Sequence, residues 1–137
     1  MRVVVSPARK PWSRLFGAAD LIAALVIGVG VFAGLPARWS PVDVPAAILV
    51  GLLGASGVLL VLGHPRALIV ARIAAYVALA AGLVLVLLLA LSASWLSGVY
   101  GPVGRGGALL LGLVAALVVP YLVFLPSAQL LWLGDRR

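Results

Sequence analysis

The chain has 137 residues, 65% of them apolar and only 9% charged, with one histidine and no cysteine. A soluble domain carries roughly 45–50% apolar and 25% charged residues, so lipid rather than water must solvate most of this surface. The lack of cysteine excludes disulfides, thiolate metal sites and cysteine nucleophiles. Three carboxylates, Asp20, Asp43 and Asp135, leave little for acid–base chemistry, and no cofactor or metal is expected.

The net charge of +7 comes from ten basic residues, all arginine except Lys10. A nucleic-acid binder gathers such residues on one soluble face. Here they punctuate apolar runs, the pattern of a membrane topology signal, so no nucleic-acid partner is expected. The preference for arginine over lysine fits a GC-rich bacterial genome, and the bacterial inner membrane is the expected location.

The predicted architecture is an all-α membrane protein with four transmembrane helices in a bundle. A basic segment over 1–14 precedes spans at about 15–35, 44–62, 67–96 and 106–131, within a membrane domain over 15–133, and a tail over 134–137 follows. Each run reaches the ~20 residues that a spanning helix needs. The first has a basic lead in Arg2, Arg9, Lys10 and Arg14, but its apolar run is too long for an ordinary signal peptide, so it reads as an uncleaved anchor.

Asp20 is the one acid inside an apolar run. A central Asp costs roughly 2.5–3.5 kcal/mol to insert and is a functional candidate by default. It lies only about 9 Å along a helix from Arg14, which places it near the inner interface as a solvated or salt-bridged group. Gly30 and Gly34 then form a GxxxG pair.

Pro36, Pro41 and Pro45 bracket the first loop, because proline starts or ends a helix. The second span carries a stripe of small residues, Ala47, Gly51 and Ala55, on one face. Such stripes let helix backbones approach closely in lipid. Gly63-His64-Pro65-Arg66 reads as a tight turn, and His64 has no neighbouring ligand for a metal.

The third span repeats the stripe at Ala74, Ala78 and Gly82. Arg72 near its start is expected to snorkel to the headgroups or to pair with Asp20 at the same depth. Ser97 to Gly107 reads as a flexible Gly-rich connection. It lacks the Lys-Ser/Thr ending of a phosphate loop.

The fourth span has the stripe Ala108, Gly112 and Ala116. Pro120 lies within it and should kink the helix near Ala116, freeing a carbonyl. An offset of 61 residues aligns Ser40–Ala55 with Gly101–Ala116, which would make the chain two tandem helical hairpins.

With four spans, Arg2, Arg9, Lys10, Arg14, Arg66, Arg72, Arg136 and Arg137 share one side and only Arg38 and Arg105 the other. Both termini are therefore expected in the cytoplasm. Trp12 and Trp132 would lie at the inner interface, and Trp39 and Trp95 at the outer one.

No nucleophile has an activating base in reach, so no enzyme is expected. The function that fits best is an accessory or scaffold subunit of a larger membrane assembly, with the bilayer and either other subunits or further copies as partners. The alternative, a small oligomeric transporter or channel, needs a polar path, for which Asp20, Arg72, Tyr76 and Ser56 are the available lining.

Overall fold

The structure is a computed structural model describing residues 10–34, 36 and 39–134. They form helices and the turns between them, with no strand among them: α1 (Lys10–Phe32), α2 (Ser40–Leu62), α3 (Ala67–Val119), a π-helical turn (Pro120–Phe124) and α4 (Leu125–Gly134). Three helical stretches, Pro11–Phe32, Ser40–Leu62 and Ala67–Gly134, are long and apolar enough to cross a membrane. The basic segment before Lys10, Arg38 and the residues after Gly134 lie outside the described residues.

The start of α2 differs from the expectation. Pro41 stands in its first turn and Pro45 lies inside it, although both were expected to bracket a loop. The first-turn amides have no partner within a helix, so Pro41 sacrifices nothing there. Asp43 in that turn complements the positive end of the helix dipole.

The end of α2 is a Schellman cap. Gly63 has φ 69°, a left-handed conformation that glycine adopts without a Cβ penalty. His64 N–H donates to the Leu59 carbonyl at 3.0 Å, as that motif requires. The Arg66 amide in turn donates to His64 Nδ1 at 3.2 Å, which helps to start α3. The tight turn read from Gly63 to Arg66 is therefore present.

α3 is not one straight rod. Gly101 has φ 55° and ψ −129°, outside the helical region, and Pro102 follows it. A straight helix would hold Gly82 and Leu122 about 60 Å apart. Instead, a Cβ built on Gly82 would lie 2.5 Å from the Leu122 carbonyl oxygen, so the chain doubles back at Gly101. The flexible connection expected over Ser97–Gly107 is a correction: those residues are helical on both sides of a single reversing glycine. Proline pre-sets φ for the helix that begins beyond it, so no longer loop is required.

Two compact units result. One takes in the described residues up to Ala75 together with Leu133 and Gly134, and the other is Tyr76–Trp132. In the first, α1 and α2 run antiparallel, since Gly17 lies against Gly57, Leu60 and Val61 while Gly28 lies near Val50. Ala23, Leu49, Leu53, Leu60, Ala71 and Ala74 belong to its core.

In the second unit, Ala78, Gly82 and Leu122 are buried. Pro126 has no N–H to return to the Leu122 carbonyl, and the absence of a side chain on Gly82 admits that oxygen at short range. Most large apolar side chains, among them Leu83, Leu87, Leu113 and Leu117, face outward, as expected where lipid is the solvent.

Candidate functional site

The polar feature that the fold builds most deliberately is Asp20 against Ser56. Helix α1 is described from Lys10, and Asp20 lies about 15 Å along it from there, on the face turned to α2. Asp20 is 1% exposed and Ser56 0%, and Ser56 Oγ donates to Asp20 Oδ2 at 2.5 Å. The length is that of a short O–H···O contact.

The expectation of a solvated Asp20 is thus corrected. The helix extends further toward the N-terminus than the apolar run alone implied, and the residue is sealed between helices.

Two glycines make this possible. A Cβ on Gly17 would lie 2.9 Å from the Gly57 carbonyl oxygen, and one on Gly57 would lie 2.7 Å from the Gly17 carbonyl and 2.6 Å from Leu21 Cγ. Gly17 precedes Asp20 by one turn of α1, and Gly57 adjoins Ser56. The backbone contact draws the two polar side chains within bonding reach.

The energetics limit what this bond does. An interhelical hydrogen bond in lipid contributes about 0.6–2 kcal/mol, against roughly 2.5–3.5 kcal/mol to place an Asp mid-span. The Ser56 bond alone therefore offsets only part of that cost. Its effect is to fix the rotation and register of α1 against α2.

Arg72 is half of the other intramembrane expectation. It is exposed, and its Nη2 donates to the Leu133 carbonyl at 3.3 Å. A cation at the last carbonyls of a helix complements the dipole there. The contact joins residues 61 apart, so it also ties the end of the returning helix to the start of α3. Tyr76, the fourth residue of the polar path considered above, is exposed. Of that set, the structure brings together Asp20 and Ser56.

The small-residue stripes divide. Ala74, Ala78 and Gly82 are buried, in line with a packing face. Ala47, Gly51 and Ala55 are exposed, and nothing lies within 4 Å of a Cβ on Gly51. This stripe takes no part in packing within the described fold; α2 uses the adjacent face of Ala46, Leu49, Leu53, Ser56, Gly57 and Leu60. Ala108 is half-buried, while Gly112 and Ala116 are exposed. Gly30 is open, and Gly34 lies past the end of α1 against the Gly30 carbonyl.

Pro120 opens the π-helical turn, which closes with Leu125 N–H donating to the Pro120 carbonyl. The kink expected near Ala116 is not what the structure shows there: residues 111–119 are regular α-helix, and the departure is this widened turn, with Ser127 Oγ donating to the Val123 carbonyl at 2.6 Å.

The sequence reading missed Gly17, Gly57 and Gln129, the last of which is also buried. The available signal for the first two was a glycine within one turn of a polar residue on an otherwise apolar helix.

Among the described residues no group of three or more His, Asp or Glu side chains could hold a metal. Comparison with protein families, curated proteins and solved structures finds no match for this chain. Its class rests on its helices, which are those of a multi-pass helical membrane protein.

Proposed function

We propose that the chain is a four-span accessory or scaffold subunit of a larger assembly in the bacterial inner membrane, without catalytic chemistry. On this reading the reversal at Gly101 divides the last apolar stretch into a third span over about 67–100 and a fourth over about 102–134. The basic residues then fall eight to two in favour of the side that holds both termini, which places the termini in the cytoplasm.

The observation that carries the reading is the sealing of Asp20. A transport carboxylate must meet its ion or proton, whereas this one is turned onto Ser56 between helices whose backbones touch at Gly17 and Gly57. It acts as a tether. The runner-up, an oligomeric transporter or channel, draws support from the rarity of idle acids in membrane helices.

Extraction from native membranes in a mild detergent, followed by native mass determination, separates the two. A scaffold subunit travels with a second kind of chain at fixed stoichiometry, and Asp20→Asn preserves that complex. A homo-oligomer whose reconstituted solute flux disappears in Asp20→Asn would contradict the scaffold reading.

A further inference from the structure

The returning helix after Gly101 carries an open hollow of about 710 Å³, lined by Arg105, Ala108, Leu109, Gly112 and Leu113. These positions follow the i, i+3, i+4, i+7, i+8 spacing of one helix face. Apart from Arg105 the lining is apolar, and nothing lies within 4 Å of a Cβ on Gly112, so the floor of the hollow is bare backbone.

We propose that this hollow holds one anionic phospholipid, with its phosphate on the Arg105 guanidinium and an acyl chain along Ala108, Gly112 and Leu113. Three features select that occupant. Length is the first: Arg105 to Leu113 covers about 12 Å of helix, close to the ~15 Å depth of one leaflet's hydrocarbon.

Depth is the second. A Cβ on Gly107 would sit 3.4 Å from Leu96 Cδ1, and Leu96 also meets Gly104, so the residues around Leu96 stand level with Arg105. There Trp95 and Tyr100 are exposed and stack edge to face at 5.9 Å, and such aromatics favour the headgroup layer.

Charge is the third. A guanidinium matches a phosphate in a planar, bidentate contact. Among the described residues no carboxylate lines the hollow, so the ammonium of a zwitterionic lipid would find no partner there, while a phosphoglycerol headgroup leaves no charge unmatched. The proposal rests on the membrane-spanning reading of these helices and not on which side they face.

The test uses the full chain reconstituted in vesicles of equal parts phosphatidylglycerol, phosphatidylethanolamine and phosphatidylcholine. The vesicles are floated and re-extracted in mild detergent, and retained lipids are counted by native mass spectrometry. The parent should retain one phosphatidylglycerol in preference to the others. Arg105→Ala should lower that preference about tenfold, the scale of one charge-assisted contact. Gly112→Phe fills the hollow and should abolish retention, while Gly51→Phe, at an equally open glycine on α2, should leave it unchanged. Parent-like retention in Arg105→Ala, or equal loss in Gly51→Phe and Gly112→Phe, would overturn the site. Failure of the parent to float would overturn the membrane reading along with it.

Discussion

Gly17 and Gly57 face one another across α1 and α2 so closely that neither helix has room for a side chain there: a Cβ on either would come within 3 Å of the other's carbonyl oxygen. Any larger residue must separate the helices or bend them. Overpacking typically costs about 1–3 kcal/mol, and lipid gives no compensating hydrophobic drive to hold the pair together. Gly57→Leu should therefore lower the melting temperature of the purified protein in detergent, with Gly17→Leu close behind. Gly51→Leu, which meets open space, should melt like the parent. A parent-like melt for Gly57→Leu would refute the close contact.

The Asp20–Ser56 bond gives a second, ordered series. Ser56→Ala removes the donor to Asp20 Oδ2 and should destabilise by about 0.6–2 kcal/mol. Asp20→Asn keeps an oxygen acceptor in place and removes the expense of an ionisable group in the span, so it should melt at or above the parent. Greater damage from Asp20→Asn than from Ser56→Ala would show that the charge itself is needed.

Much of this organisation was legible in the sequence, and its failures have physical reasons. The apolar runs, the turn at Gly63–Arg66 and the buried face of Ala74, Ala78 and Gly82 could be read because each has a local signature. The packing face of α2 could not: its apolar residues surround the helix, so Ala47-Gly51-Ala55 competed on equal terms with the face of Leu53 and Gly57, and only the partner helix breaks the tie. The burial of Asp20 depended on the partner helix, since nothing local to α1 shows that Ser56 will face it. Helix formation reaches back through Pro11 and Trp12 to Lys10, beyond the hydrophobic run that set the expected boundary. The Gly-rich stretch around Gly101 looked flexible because glycine lowers helix propensity, yet only one of its glycines leaves the helix.

That glycine makes a third prediction. At φ 55° and ψ −129°, a residue with a Cβ is strained by about 1–3 kcal/mol. Gly101→Ala should therefore destabilise the reversal, whereas Gly98→Ala, helical and unobstructed, should be neutral or stabilising. Equal melting temperatures for the two variants would mean that the chain does not turn at Gly101.

The reversal also has a topological consequence. If the chain doubles back at Gly101, a reporter fused after the last residue reports the same side as one fused before the first. A reporter inserted at Gly101 reports the opposite side. On the proposed orientation, which the basic bias favours, the shared side is cytoplasmic. Opposite sides for the two termini would contradict the four-span reading.

The central claim is that the polar pair is sealed and serves as a tether. Because the chain has no cysteine, a single Ser56→Cys substitution gives an unambiguous probe, and His64→Cys in the turn after α2 gives a reference. In intact membranes treated with a small water-borne maleimide that reaches both faces, His64→Cys should be modified quickly. Ser56→Cys should remain unmodified until the protein is denatured. Modification of Ser56→Cys at a rate comparable with His64→Cys would place water beside Asp20 and contradict the account.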